Sequence, residues 1–123
     1  MKYSGGVNMY VKKRSEIDKK IFNTDTMKNV QKQVLIGGDQ GWDSHVMRMF
    51  TLGKDGYSPK HSHPWDHMVY IVKGEGVIFI DGTDYPVSGD SVAVVPGGKE
   101  HQFLQTGNEE LVFMCIVPTE GDV

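Results

Sequence analysis

Four of the five histidines in this 123-residue chain have the spacing of a metal site. His61 and His63 are separated by one residue, and alternate residues of a β-strand point to the same face, so both imidazoles would face the same way. A Pro-Trp-Asp turn follows, and His67 then opens the next strand. His101 comes shortly after a Pro-Gly-Gly turn that can fold its strand back beside the first. The four side chains could therefore converge on one point.

Four converging imidazoles could hold one divalent ion. Imidazole nitrogen binds zinc, copper, iron and nickel, and also manganese where geometry and supply favour it. Three or four protein ligands, with one or two positions left to water, are the usual arrangement around a catalytic ion. The ordinary alternative for a single histidine is a surface or core residue, and we interpret the fifth, His45, in that way. For the other four histidines, the alternative to a metal site is a core filled by four neutral imidazoles, which would be unusual.

The elements that must position these histidines have the pattern of short β-strands. Apolar and β-branched runs alternate with turns, and the chain contains 15 glycines, well above the usual ~7%. Asp81-Gly82 between two apolar runs predicts a hairpin. We count about eight to ten strands and no long amphipathic helix, which predicts an antiparallel sandwich or barrel. The main predicted strands cover 45–52, 59–63, 67–73, 77–80, 91–95, 101–105 and 111–117.

The composition excludes several kinds of partner. The chain is 38% hydrophobic and 24% charged, with a net charge of −3, whereas a nucleic-acid-binding protein usually has a clustered basic excess. The basic run at 12–14 is followed by Glu16 and Asp18, which indicates a solvated surface. No apolar run approaches the ~20 residues of a membrane span. We therefore predict neither a nucleic-acid nor a membrane partner.

The cellular compartment follows from the cysteine content and the N-terminus. Cys115 is the only cysteine, so no internal disulfide can form. The first ten residues lack the apolar core of a secretion signal. A reducing cytoplasm is the expected location.

The length suits one domain with a core that needs no disulfides. We expect residues 1–8 to be a weakly ordered lead-in and residues 9–123 to form a single barrel domain. Met9 could be an alternative start. An N-terminal arm follows, with short β-capable pieces at 9–12 and 33–36. An arm of this kind could add a strand to the sheet of a second copy, so we predict a homodimer.

Two segments resemble the sequence boxes of the cupin family and cover about half the chain. The first box is a glycine, a His-x-His pair, a glutamate a few residues later, and a second glycine. Here Gly56 precedes the pair at 61–63, one residue closer than usual, and His67 replaces the glutamate. The second box is a glycine followed by Pro-x-Gly and a histidine, and it is matched by Gly89 and 96–101.

The histidine in place of glutamate makes the chain similar to the small four-histidine manganese cupins of thermophilic bacteria. The similarity extends to 34–37, 46–48 and 115–121. It implies an all-β fold, the cupin double-stranded β-helix or jelly-roll barrel, with an N-terminal arm. It also implies one divalent ion, with Mn²⁺ favoured and Fe²⁺, Ni²⁺ or Zn²⁺ as alternatives. The implied metal ligands are His61, His63, His67 and His101.

The walls of a substrate pocket follow partly from strand parity. Phe113, Cys115 and Val117 share one face of the last strand, and the similarity to cupins places that face toward the metal. Ordinary core packing is an equal alternative for each of them. Arg48 interrupts an apolar strand. Facing inward, it could orient a carboxylate substrate, and facing outward, it would lie on the barrel rim.

The resemblance implies oxidative chemistry, such as dioxygenase-type cleavage of C–C or C=C bonds in a small organic substrate. One alternative is a non-catalytic cupin that binds or senses a small molecule. Another is a metal-dependent isomerase or cyclase acting on a sugar or keto acid. That reaction would need a general base near the metal, for which the chain offers few candidates beyond Tyr57, Tyr70 and Glu75. The fold alone does not choose among these functions.

Overall fold

The computed structural model describes residues 6–122, and its regular structure is almost entirely β-sheet. Short 3-10 turns lie at Arg14–Glu16, Gly38–Gln40 and Thr119–Gly121. Among the described residues, no helix has the length and apolar character needed to cross a membrane. The strands of residues 6–122 are β1 (Lys20–Phe22), β2 (Lys28–Ile36), β3 (His45–Tyr57), β4 (His67–Lys73), β5 (Glu75–Ile80), β6 (Thr83–Ser88), β7 (Val92–Val95), β8 (His101–Thr106) and β9 (Leu111–Pro118).

These strands form one curled antiparallel sheet. Its order is β6-β5-β8-β3-β9-β4-β7, with β2 beside β3 and β1 beside β2. The long strand β3 connects two parts of the sheet, because residues 45–52 pair with β9 and Tyr57 pairs with Leu104 of β8. The predicted all-β jelly-roll fold is confirmed.

Alternation along the strands directs one face of the sheet into a common core. In β4, His67, Val69 and Ile71 are buried, whereas Met68 and Tyr70 between them are exposed. Successive side chains of a strand point to opposite faces, so this alternation fixes the inward direction of the first histidine of β4. The core cluster contains Val30, Leu52, Val69, Ile71, Ile78, Val95, Phe103, Leu111, Phe113, Cys115 and Val117.

The turn between β5 and β6 is the predicted hairpin. Asp81 and Gly82 have φ angles of 49° and 87°, and positive φ at both central residues is characteristic of the type I′ turns that suit two-residue hairpins. β5 and β6 pair in register up to this turn, from Glu75 opposite Ser88 to Ile80 opposite Thr83.

The predicted strand at 59–63 is wrong, because this segment forms only an isolated bridge. His61 pairs with His101, and no regular strand continues on either side. Pro59 and Pro64 flank the segment, and proline has no N–H to donate to a sheet. The His-x-His pair therefore lies in an irregular segment attached to the sheet at one point.

The N-terminal arm packs on its own barrel. Residues 9–12 have no strand, contrary to the prediction, whereas 33–36 is the end of the longer β2, which pairs with β3. The buried Gln33 side chain donates to the carbonyls of Arg14 (2.7 Å) and Ile17 (3.0 Å). The arm is thus already paired within the chain, and the homodimer stays a prediction without that support.

The predicted lead-in at 1–8 falls largely outside the described residues, since the structure describes the chain only from residue 6. Asn8 lies within the described part, and its backbone N–H donates to the carbonyl of Gln40 at 2.8 Å.

Ile71→Ala should destabilise the protein by about 2–5 kcal/mol, because it leaves a cavity in the core. Ile71 is fully buried, whereas Ile21 in β1 is 72% exposed, so Ile21→Ala is a matched control expected to cost about 1 kcal/mol or less. Urea unfolding of the three proteins measures both free energies. Equal losses in the two variants would contradict this assignment of the core.

Candidate metal centre

Four histidine rings lie together at one wall of the curled sheet. The centroid of the His63 ring is 4.7 Å from that of His61, 4.6 Å from that of His67 and 4.9 Å from that of His101. The His101 centroid is 5.1 Å from that of His61 and 4.9 Å from that of His67. The structure therefore brings together the four histidines selected from the sequence. His45 lies outside this cluster and is exposed.

Sheet pairing positions three of the four rings. His67 is the first residue of β4 and pairs with Val95, and His101 is the first residue of β8 and pairs with Ile80. His61 is joined to His101 through the backbone. The His61 N–H donates to the His101 carbonyl at 3.1 Å, and the His101 N–H donates to the His61 carbonyl at 2.8 Å.

The fourth ring is held by the packing of two turns. The Gly98 N–H donates to the His63 carbonyl at 2.7 Å, and the Gly97 N–H donates to Oδ1 of Asp66 at 2.7 Å. A Cβ at Gly97 would lie 2.5 Å from the carbonyl oxygen of Pro64, so only glycine permits this approach. The side chain of Asp66 thus fastens the Pro-Trp-Asp turn to the Pro-Gly-Gly turn.

The cluster can hold a metal ion. His61, His63 and His101 each present one ring nitrogen, and these nitrogens lie within 4.8 Å of one another. Nδ1 of His101 is 3.0 Å from the carbonyl of Lys99, which suits an N–H donor there and leaves Nε2 with its lone pair. His67 is not part of this group of three, but its Nε2 lies 3.3 Å from Nε2 of His63, so the fourth ring contacts the group through His63.

Cys115 contacts the fourth ring from β9. Its Sγ lies 3.1 Å from Nδ1 of His67 and 3.4 Å from Nη2 of Arg48, which donates to it. Burial raises the pKa of the Cys115 thiol, so this sulfur is a neutral neighbour of the imidazole. The contact uses Nδ1 and leaves Nε2 of His67 directed at His63.

Trp65 belongs to the site although the sequence did not assign it there. Its ring stacks on that of His63, with centroids 4.6 Å apart and planes at 14°. A Cβ at Gly121 would lie 2.7 Å from Nε1 of Trp65, so the turn Thr119–Gly121 packs closely against the indole. The position of a tryptophan between two of the clustered histidines was the available signal, but it did not distinguish this role from surface packing.

A cavity of about 520 Å³ adjoins the four histidines. Arg48, Phe113 and Cys115 line it, as the sequence analysis suggested. Val117 is not among the lining residues, and its side chain is buried in the core cluster. The N-terminal arm supplies a further part of the lining that was not predicted from the sequence, namely Lys20, Phe22, Met27, Val30 and Lys32.

Arg48 faces inward, which decides between the two orientations left open by the sequence. It is only 5% exposed, and its guanidinium lies over the ring of Phe50 at 5.0 Å from the centroid. Nη1 is 3.8 Å from Oδ1 of Asp122. A cationic side chain therefore lies inside the barrel next to the histidine cluster.

Known proteins share this architecture. The cupin domain family matches residues 48–117, which is more than half of the chain. The chain belongs to the cupin family. A solved cupin-2 domain protein from Rhodospirillum rubrum has a TM-score of 0.81 and 27% sequence identity, over 98% of this chain and 80% of that one.

Two curated relatives extend the comparison of this cupin. It is 33% identical over 95 residues to the 1-methylthio-D-xylulose 5-phosphate methylsulfurylase of Rhodospirillum rubrum, covering 77% of this chain and 60% of that protein. It is 33% identical over 58 residues to the oxalate-binding protein of Thermotoga maritima, covering 46% of this chain and 48% of that protein. The matches thus span less than two thirds of each of these relatives.

Burial and nearby positive charge favour the neutral form of three of the clustered imidazoles in this cupin. Burial is the main cause, followed by the charges of other histidines and of Arg48, and together they lower the pKa of His67 to about 3 and that of His63 to about 4. Burial, His101 and Arg48 also lower the pKa of His61. A histidine must be neutral to donate a lone pair to a metal. The lowered pKa values of these three imidazoles therefore favour the protonation state that metal binding requires.

The metal-free cupin should lose stability as the pH falls from about 7 to 4. An unfolded histidine binds a proton near pH ~6.5, whereas His63 and His67 stay neutral in the folded state down to a pH of about 4 and about 3. The unfolded state therefore binds more protons over this range, and the free energy of unfolding decreases as the pH decreases. Thermal unfolding in the presence of a chelator at several pH values measures the slope of stability against pH.

The variant His67→Gln should reduce this slope, because it removes a group whose pKa differs between the two states. His45→Gln, at the exposed histidine outside the cluster, is the control and should keep the wild-type slope. An unchanged slope in His67→Gln would contradict the prediction.

Proposed function

We propose that this cupin is a metal-dependent oxidoreductase of the dioxygenase type that acts on a small organic substrate. It holds one divalent ion, with Mn²⁺ favoured over Fe²⁺, Ni²⁺ or Zn²⁺, beside the cavity of about 520 Å³. The observation that carries this proposal is the convergence of four imidazoles at the wall of that cavity.

The proposed ligands are His61, His63, His67 and His101. Support comes from the three nitrogens within 4.8 Å of one another and from the contact of the fourth ring at 3.3 Å. Imidazole suits Fe²⁺, Ni²⁺ and Zn²⁺ as well as Mn²⁺, so the preference for Mn²⁺ rests on the resemblance to four-histidine cupins. Because imidazoles are uncharged, the bound ion would keep its full charge and supply Lewis-acid and electron-transfer chemistry.

The aromatic lining gives the substrate an apolar, water-excluding surface beside the histidines. The ring of Phe113 stacks on that of Phe103 at 4.3 Å and on that of Phe50 at 5.3 Å. All three rings line the cavity. An apolar wall strengthens electrostatic interactions at its edge, because it lowers the local dielectric constant. It can also orient a planar or unsaturated molecule against the metal site.

The names of two relatives support a small, oxygen-rich ligand. One relative is named for 1-methylthio-D-xylulose 5-phosphate and the other for oxalate. Both molecules carry negatively charged oxygens that can approach a cation. We extend this general class of ligand, and neither compound in particular, to the present cupin.

The two other functions make different demands on the cavity. An isomerase or cyclase needs a general base near the metal, but Tyr57, Tyr70 and Glu75 are not among the described lining residues. Tyr70 instead donates to Asp90 on the outer surface. A non-catalytic binding or sensing cupin needs the metal and the cavity alone, so it is the second candidate. It differs from the first in consuming neither substrate nor oxygen.

His101→Ala should abolish tight binding of Mn²⁺ while the barrel stays folded. We expect the loss to exceed the 10–100-fold that removal of an outer partner of a metal ligand typically costs. Isothermal titration of the metal-free protein with Mn²⁺ measures the affinity, and His45→Ala is the matched control. Wild-type affinity in His101→Ala would exclude this histidine as a ligand.

The metal-loaded protein should consume oxygen with at least one substrate from a panel of small aromatic and enolic compounds. Oxygen uptake and substrate loss, recorded together with an oxygen electrode and chromatography, distinguish the candidate functions. Substrate conversion without oxygen uptake would favour an isomerase or cyclase. Binding without conversion would favour the sensing module. The metal-free protein and the His101→Ala variant are the controls.

A further inference from the structure

Apart from the histidines, a group of charged side chains borders the cavity, formed by Lys32, Arg48 and Asp122. Nζ of Lys32 lies 2.7 Å from Oδ1 of Asp122, and Nη1 of Arg48 lies 3.8 Å from the same oxygen. The side chains of the two cations are only 13% and 6% exposed, and both line the cavity. One carboxylate oxygen from the C-terminal end of the described chain thus lies near one buried and one largely buried positive charge.

The carboxylate of Asp122 does not satisfy the hydrogen-bonding capacity of the Arg48 guanidinium. The separation of 3.8 Å from Asp122 is too long for a hydrogen bond. Nη2 donates only to the sulfur of Cys115, which is a weak acceptor, and Nε is buried with no acceptor in the described structure. A buried guanidinium usually binds a carboxylate through two parallel hydrogen bonds. The geometry at Arg48 is therefore that of an anion site only partly used by Asp122.

The charges around the cavity also favour an anion. Its described lining contains Lys20, Lys32 and Arg48 but no aspartate or glutamate. A divalent ion at the histidines would add further positive charge to the same space. Asp122 is the acid that contacts these cations, although its own side chain is not part of the lining.

The anion site lies next to the proposed metal site. Sγ of Cys115 contacts both Nη2 of Arg48 (3.4 Å) and Nδ1 of His67 (3.1 Å), so one side chain separates the guanidinium from the cluster. The ring of Phe50 lies beneath the guanidinium and stacks on Phe113. A ligand with its charged group at Arg48 would therefore lie along an aromatic surface and reach the histidines.

We propose that Lys32 and Arg48 bind the carboxylate of a small acid with an apolar or aromatic body, and that the carboxylate of Asp122 competes for the same place. A carboxylate is favoured over other anions because the present occupant is one. This proposal names the substrate class for the proposed function. The description of the acid as a substrate therefore rests on that function. Binding of the acid itself requires only the two cations.

The geometry of the C-terminal turn fits this competition. The turn Thr119–Gly121 is anchored by the N–H of Thr119, which donates to the carbonyl of Ser44 at 3.1 Å. Asp122 follows the turn, and its N–H donates only back to the carbonyl of Thr119 at 3.2 Å. Rotation of one side chain beyond an anchored turn would free both cations without moving the barrel.

The experiment compares 3-phenylpropionate with its uncharged amide, 3-phenylpropionamide, as probes of the metal-free protein at pH 8. Two-dimensional NMR titration measures weak affinities and locates the site. The acid should bind about tenfold more tightly than the amide or better, because hydrogen bonds to charged groups are worth that much. The shifted resonances should include those of Lys32, Arg48 and Phe50.

Two variants test the competition. Asp122→Asn keeps the shape but removes the charge, and should tighten binding of the acid about three- to tenfold without changing binding of the amide. Lys32→Gln should weaken binding of the acid alone. Asp81→Asn is the matched control, because Asp81 forms an exposed ion pair with Lys99 (3.4 Å) outside the cavity lining, and it should behave like the wild type.

Equal affinity for acid and amide in the wild type would overturn the proposal, as would shifts confined to other surfaces. Acid binding in Asp122→Asn no tighter than in the wild type would overturn the competition. If that variant does not fold, unchanged acid binding in Lys32→Gln serves as the deciding result. Titration of the same proteins with Mn²⁺ separates the two proposals. Normal metal binding without acid discrimination refutes the anion site alone, and the reverse result refutes the metal site alone.

Discussion

The site depends on one backbone contact between segments that are distant in the chain. His61 and His101 each donate an N–H to the carbonyl of the other, and the Pro-Gly-Gly turn reaches its partner turn because Gly97 has no Cβ to collide with Pro64. The His-x-His segment lies between prolines and belongs to no regular strand. Its two imidazoles therefore acquire their positions when the barrel closes, and the metal-binding geometry is a property of the whole sheet.

Features governed by short-range rules could be predicted from the sequence. The histidine spacing identified the cluster. Strand parity placed Phe113 and Cys115 on one face, because the period of two is fixed within a strand, and the resemblance to cupins directed that face toward the metal. Parity states which face of the strand a side chain occupies but not how far along that strand a cavity extends, and Val117 on the same face is not among the lining residues.

Features that depend on long-range contacts could not be predicted. The interaction between Lys32 and Asp122 joins residues 90 positions apart, and no local pattern marks it. Of β2, only residues 33–36 were predicted, because four of the five residues 28–32 are polar. Hydrophobic patterning does not detect a strand segment of this kind. As a result, Lys32 was not predicted to line the cavity.

The charge of Arg48 acts on both the histidine cluster and the proposed anion site. Its charge helps to keep His61, His63 and His67 neutral, but the same charge would repel a metal ion at those rings. An anion between the guanidinium and the metal would remove this repulsion. Under the proposed function, binding of metal and binding of an acid should therefore reinforce each other, and thermodynamic linkage requires the effect to be reciprocal. Displacement of Asp122 reduces this mutual stabilisation, because its carboxylate already offsets part of the positive charge of Lys32 and Arg48. The balance between the internal and the external carboxylate thus determines how strongly an acid substrate and the metal depend on each other.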